Sequence, residues 1–218
     1  MKNCKLSGPA FMQNNVIYGI VSRQRTNSLL KELFRKSIHL CSSLVPLFLS
    51  LAYWPMIWLL CFGLAAYSFT EYLRLKGHTV PIITKITETA ARKRDENRFV
   101  LGPVTLVIGI LIAALVLPFE SARVGIFALA FGDGLASLTG RMFGRITIPG
   151  AHGKTVAGSL TCFVAVYAAV FFCCGTVFIS LLVAVFAMLL EALPLADFDN
   201  ILIPICVGSF FYLLHTAL

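Results

Sequence analysis

Apolar residues run through this chain in blocks, each about the length of a helix that crosses a membrane, with polar breaks between them. A spanning helix needs roughly 20 mostly apolar residues. Seven segments approach that length: 37–53, 55–73, 101–118, 122–140, 156–174, 176–193 and 200–217. The breaks carry suitable punctuation. Trp54-Pro55 divides the first two segments, where tryptophan suits the membrane interface and proline a helix start. Gly102-Pro103 opens the third segment and Pro118 closes it, Cys173-Cys174-Gly175 separates the fifth from the sixth, and Ala196–Asn200 separates the last two. The pattern predicts an all-α, polytopic membrane protein of about seven transmembrane helices. The first and fourth segments are the least apolar, because they contain His39, two serines, Asp133 and Ser137, so a count of six or eight also fits.

A different periodicity appears at 79–93. Ile82, Ile83, Ile86 and Ala90 share one helical face, Thr79 stands where a cap belongs and Pro81 falls in the first turn. This predicts an amphipathic helix lying on the cytoplasmic leaflet. The chain contains no internal repeat and divides into an N-terminal arm, 1–34, and one membrane-embedded domain, 35–218.

Composition agrees with the pattern: 58% of the 218 residues are hydrophobic and 13% charged, which excludes an ordinary soluble domain. The net charge of +8 adds an orientation. With seven spans and a cytoplasmic N-terminus, residues 1–36, 74–98 and 141–155 carry 17 of the 18 lysines and arginines on one side, leaving Arg123 across the membrane. That is the positive-inside asymmetry. Basic juxtamembrane loops attract lipid headgroups and nucleotides, and their dispersal argues against nucleic acid as a partner. The seven cysteines form no C-x-x-C pair and fall mostly in apolar runs, where cysteine serves as a small hydrophobe.

The chemistry concentrates in 131–159. Asp133, Ser137 and Arg141 recur every fourth residue and so share a helical face, beside a stripe of Gly132, Ala136 and Gly140 that admits close helix packing. An acid inside such a segment is costly and marks a functional site by default. Asp133 reads as a magnesium ligand, since magnesium takes one or two carboxylates and completes its shell with water and phosphate oxygens; a structural Asp–Arg or Asp–Lys pair is the alternative. The loop that follows, with Gly144, Gly150, Gly153, Arg145, His152 and Lys154, can bring backbone N–H groups and a lysine charge to phosphate. Gly150–Thr155 is two residues short of a P-loop, and no strand leads into it, so only the physics of that motif is retained. Thr155 and Ser159 are placed to contact phosphate or metal-bound water, or simply to cap and pack the next helix.

Two further groups complete the picture. Glu191, Asp197, Asp199 and Asn200 cluster at the end of the sixth segment, where carboxylates from a separate helix can bracket an ion together with Asp133. Arg35, Lys36 and His39 lie at the first segment, with Glu71 and Arg74 ending the second. His39 or Glu71 is a candidate to orient or deprotonate a substrate hydroxyl.

Arg35-Lys36-x-x-His39, Glu71-x-x-Arg74, Gly132-Asp133-x-x-Ala136-Ser137-x-x-Gly140-Arg141, Lys154-Thr155-x-x-Gly158-Ser159, Glu191 and Asp199-Asn200-x-x-x-Pro204 together resemble the CTP-dependent lipid kinases. That family includes dolichol kinase, phytol kinase and CTP-using diacylglycerol kinases, and is related to phosphatidate cytidylyltransferase. The resemblance covers about 35–210. It implies transfer of the γ-phosphoryl of CTP to the hydroxyl of a lipid alcohol, with Mg²⁺ or another divalent cation. By motif it carries nucleotide and metal binding onto Asp133, Lys154 and the Glu191, Asp199 and Asn200 group. Joined to the residue readings above, this puts catalysis on Asp133, Lys154, His39 and Glu71, metal binding on Asp133, Glu191 and Asp199, and nucleotide binding on Arg141, Gly150, Gly153, Lys154, Thr155, Ser159 and Asn200. The P-G-H-G-G-x-x-D-R-x-D-like segment of the cytidylyltransferase branch is absent, which favours kinase over formation of a CDP-lipid. A small transporter is the non-enzyme alternative, but it predicts paired broken helices in inverted halves, which the sequence lacks. The membrane concerned would be a bacterial inner membrane or endoplasmic reticulum, with the active-site loops cytoplasmic.

Overall fold

The computed structural model describes residues 29–78, 98–151 and 153–217; the amphipathic segment expected at 79–93, His152 and most of the N-terminal arm lie outside them. The described chain is built of helices and contains no named strand. Helix α1 covers 29–41, a 3₁₀ turn occupies Ser42–Leu44, and α2 is Val45–Leu51. Then come α3, Tyr53–Leu75, α4, Gly102–Val116, and α5, Phe119–Phe127. A π-helical stretch, Ala128–Asp133, joins α5 to α6, Gly134–Phe143. Helices α7, Val156–Cys174, α8, Val177–Ala192, and α9, Asp199–Ala217, complete the bundle.

Six of the seven expected segments are helices within a few residues of the expected limits. The first, 37–53, is instead broken. Ser42 and Ser43 turn their hydroxyls back onto the carbonyls of His39 and Leu40, at 2.6 and 2.7 Å, and Pro46 enters the first turn of α2. Serine back-bonding competes with the helical ladder, and proline removes a donor from it. Among the described residues, four helices are long and apolar enough to cross a membrane: Tyr53–Leu75, the joined Phe119–Phe143, Val156–Cys174 and Asp199–Ala217. Gly102–Val116 and Val177–Ala192 are equally apolar but shorter. The chain is an all-α membrane protein.

Glycine decides how tightly the bundle closes. A Cβ on Gly109 would stand 2.1 Å from the carbonyl oxygen of Asn200, and one on Gly125 would stand 2.1 Å from that of Pro204. Pro204 lies inside α9 and has no N–H to offer the Asn200 carbonyl one turn earlier. Helices α4 and α5 therefore press bare backbone against α9 at two successive turns. This is the small-residue packing that membrane bundles use. A buried core of Leu106, Ile110, Val124, Ile126, Leu129, Val166, Val183, Ile203 and Val207 fills the space between. The starts of α4, α7 and α9 and the ends of α6 and α8 meet at one end of the bundle, around a common cavity.

Candidate active site

That cavity has a volume of about 530 Å³. The π-helical stretch delivers its deepest acid. Single π turns widen a helix and recur at functional sites, and this one ends at Asp133, whose side chain is buried. The Asp133 carboxylate forms an ion pair with the Lys36 ammonium, and His39 Nδ1 lies 3.2 Å from the same oxygen. Lys36 and His39 are three apart on α1, so one helical face presents both. The Asp–Lys pair weighed as an alternative in the sequence is thus what the structure displays, and it faces the cavity.

A short hairpin loop aims Lys154. Thr147 and Thr155 form an isolated antiparallel bridge, with Ile148 N donating to Lys154 O at 2.8 Å and Val156 N to Ile146 O at 3.0 Å. Gly153 has φ +86°, a left-handed conformation that suits glycine. Lys154 Nζ donates to the backbone carbonyl of Glu191 and lies 3.3 Å from the Glu191 carboxylate and 4.0 Å from that of Asp199. Ser159 Oγ donates to Glu191 Oε2 at 3.2 Å. Asn200 Nδ2 donates to Thr105 Oγ1 at 2.9 Å and to Gly102 O at 3.3 Å, fastening the start of α9 to α4. Thr155 caps α7, its Oγ1 accepting from Gly158 N at 3.2 Å.

Of the residues expected to carry catalysis, metal or nucleotide, Asp133, His39, Arg141, Gly153, Lys154, Thr155, Glu191, Asp199 and Asn200 line this cavity. Glu71, Gly150 and Ser159 do not. Ser159 stands behind Glu191 and orients it. Gly150, at φ +79°, makes the hairpin turn. Glu71, expected as a catalytic group, lies outside the cavity lining. Its carboxylate accepts from Arg74 Nε and Nη2 at 2.9 and 2.8 Å and from Val100 N at 2.9 Å. Arg74 also donates to the Arg98 carbonyl at 2.8 Å, and Tyr67 to the Val100 carbonyl at 3.1 Å. Glu71 is a clamp on the chain as it re-enters the bundle at Val100, a residue of the cavity wall. Its oxygens are committed to these donors. Glu71→Ala should therefore lower thermal stability, by about 1–3 kcal/mol for the orphaned donors, and weaken substrate affinity more than it slows bound substrate. Glu71→Gln, which keeps an acceptor for Val100 N, should lose less; thermal melting in detergent and KM against kcat check both.

The sequence does not reveal two features of this wall. It groups Lys36 with Arg35 and His39, but nothing in one sequence shows a partner 97 positions away. Glu32, in the polar lead of α1, is buried; its oxygens lie 2.5 Å from Arg35 Nη2 and 3.1 Å from Arg141 Nη2. The cavity wall in all carries four permanent cations (Arg35, Lys36, Arg141, Lys154) and five carboxylates (Glu32, Asp133, Glu191, Asp197, Asp199).

Among the described residues, no group of three or more His, Cys, Asp or Glu forms a ready-made metal cage. Magnesium does not require one, since one or two carboxylates with water and phosphate suffice. Glu191 and Asp199 both flank the Lys154 ammonium, so two hard oxygen donors already address one cationic position. The donor set fits a divalent ion.

The fold and this site define a helical membrane protein whose charged cavity collects the functional groups at one end of the bundle. Known proteins of similar sequence point to a narrower class. The chain is 30% identical over 145 residues to a protein named "Probable phytol kinase 1, chloroplastic" from Glycine max, a match covering 63% of this chain and 46% of that protein. It is 26% identical over 208 residues to "Probable phytol kinase, chloroplastic" from Triticum aestivum, covering 84% and 68%. A protein named "Probable phytol kinase 1, chloroplastic" from Oryza sativa subsp. japonica is 30% identical over 148 residues, 59% and 47%. The chain spans about half the length of the first and third of these relatives and about two thirds of the second. They bear out the likeness to the lipid-kinase family read from the motifs. No family model matches the chain, and no solved structure does.

Proposed function

We propose that this protein is an integral membrane kinase that transfers the γ-phosphoryl group of CTP to the hydroxyl of a lipid alcohol. One observation carries the reading: groups from four separated stretches of sequence, Lys36/His39, Asp133, Lys154/Thr155 and Glu191/Asp199, line a single cavity. Phosphoryl transfer needs positioning and charge neutralisation more than covalent chemistry, and these residue types supply both.

In this reading Lys154 and Arg141 offset phosphate charge, and Gly153 and the start of α7 offer backbone amides to phosphate oxygens. Glu191 and Asp199 would hold the divalent ion, with Asp133 as the third acid of the wall; when bound, the ion neutralises charge on the phosphates. Ser159 holds Glu191 in place. His39, buried beside Asp133, is the group placed to orient or accept the proton of the lipid hydroxyl. The cavity opens on the side richest in lysine and arginine, which the positive-inside rule assigns to the cytoplasm. The apolar wall formed by Ile38, Val100 and Leu106 suits the first carbons of a lipid chain whose remainder stays in the bilayer.

The test is purified full-length protein in detergent, given CTP labelled at the α or the γ position and a panel of phytol, polyprenol and diacylglycerol. Label from the γ position on the lipid is the expected result, with ATP, GTP and UTP poorer donors. Lipid carrying the α label would mean a cytidylyltransferase, and no labelled lipid from any pairing would end the proposal. Gly153→Ala gives a finer check. A Cβ there meets nothing within 4 Å, so its only cost is the positive φ, about 1 kcal/mol. A modest loss of kcat with little change in melting temperature is expected, because the strain falls on the turn that carries Lys154.

A further inference from the structure

A nucleoside triphosphate brings several negative charges into whatever space receives it, and the cavity as it stands has no positive charge to spare. Every one of its four permanent cations already meets a carboxylate: Lys36 meets Asp133, Lys154 meets Glu191 and Asp199, and Arg35 and Arg141 both meet Glu32. Asp133, Glu191 and Asp199 are the acids suited to a divalent ion. Glu32 is different. Its ion pairs are with arginines rather than lysines, it is only 5% exposed, and each of its two oxygens takes a guanidinium from a different element, Arg35 on α1 and Arg141 on α6. The i,i+3 contact with Arg35 needs no cavity; the reach across to Arg141 closes α1 onto α6. The Arg141 side chain remains 46% exposed, so an anion arriving from outside meets it directly. A pair of guanidiniums around one carboxylate is also the arrangement that grips a phosphate, with forked donors matched to its oxygens.

We propose that Arg35 and Arg141 form a phosphate-binding subsite at the cavity, and that the Glu32 carboxylate is its built-in occupant, displaced when a phosphate-bearing ligand enters. Glu32 then acts as a tethered competitor: its high local concentration raises the amount of ligand needed to open the subsite. Displacement frees two guanidiniums at once and loosens the hold of α1 on α6, so phosphate binding and the position of Lys36 and His39, carried on the same helix, are linked. The subsite takes either the phosphates of a free nucleotide or the phosphate of a lipid headgroup. That it serves the entering phosphoryl donor rests on the lipid-kinase reading; that it binds phosphate does not.

Glu32→Gln, Arg141→Gln and the double variant, purified as the full chain in detergent, test this by calorimetric titration with inorganic pyrophosphate. Short-chain phosphatidate in mixed micelles and CTP are run as separate arms to distinguish lipid from free phosphate. Glu32→Gln should bind pyrophosphate about three- to tenfold more tightly than wild type, and adding Arg141→Gln should abolish that gain. Unchanged or weaker binding by a Glu32→Gln protein that melts cooperatively would overturn the proposal. If Glu32→Gln does not fold, Glu32→Asp takes its place: its carboxylate, one methylene shorter, cannot bridge both guanidiniums, and the same gain is required of it. Tighter pyrophosphate binding with no lipid phosphorylation by any variant would keep the subsite and sink the kinase reading. Lipid phosphorylation with no gain on losing Glu32 would do the reverse.

Discussion

On the lipid-kinase proposal, Asp133→Asn should abolish lipid phosphorylation, and the variant should also melt earlier than wild type. Both effects follow from the Lys36 pairing. Removing the aspartate charge deprives the site of an acid that faces the reacting groups, and it strands a buried ammonium. Breaking a buried ion pair by removing one partner costs about 3–5 kcal/mol, because the remaining charge stays desolvated. The stability and activity effects separate in a double variant. Lys36→Met with Asp133→Asn removes both charges, so most of the lost stability returns, while turnover stays at least about 100-fold below wild type. Melting temperature and γ-label transfer measured on the two single variants and the double variant decide it. A double variant that regains activity along with stability would show that the pair only holds the helices together.

Gly125→Ala should produce the largest purely structural effect. The new methyl group would be placed 2.1 Å from the Pro204 carbonyl oxygen, a backbone atom with no rotamer to retreat into, so α5 and α9 must move apart. Overpacking of a tight contact costs about 1–3 kcal/mol, occasionally more. Gly109→Ala makes the same clash with the Asn200 carbonyl, but Asn200 lines the cavity and Pro204 does not. Gly109→Ala should therefore lose both stability and nucleotide affinity, whereas Gly125→Ala, one helical turn deeper, should lose stability first. Gly63→Ala, where a Cβ meets nothing within 4 Å, is the control and should melt as wild type.

Much of this architecture could be read from the sequence, because the bilayer imposes a length on apolar runs and every run but the first is one continuous helical span, the fourth with a π-helical stretch inside it. The exception, 37–53, was concealed by its high apolar content; hydropathy registers Ser42, Ser43 and Pro46 as small deductions, although locally they redirect the backbone. The lengths of α4 and α8 were overestimated for a related reason, since flanking Leu101, Leu117, Thr176 and Leu193 are apolar or neutral and still leave the helix. At the site, spacing within one helix was informative: Asp133, Lys154, Glu191 and Asp199 do converge. Pairings across helices were not. Lys36 with Asp133, Glu32 with Arg141, and Glu71 with Val100 N join residues 29 to 109 positions apart, and an acid three residues before an arginine looks the same whether it clamps a loop or moves a proton. The π turn at Ala128–Asp133 has no residue signature at all; Phe131-Gly132-Asp133-Gly134 would sit equally well in an α-helix.

The two short helices have a consequence for a surrounding bilayer. At 1.5 Å per residue, the 15 residues of α4 and the 16 of α8 rise about 22 and 24 Å, whereas the hydrocarbon layer is roughly 30 Å deep. Lipids bordering such helices thin to match them. Both helices run to the cavity, so a bilayer matched to them would be thinned where the cavity opens. On the lipid-kinase proposal, that thinning would bring the alcohol end of a neighbouring lipid toward His39 and Asp133, and the substrate would not have to leave the bilayer to react.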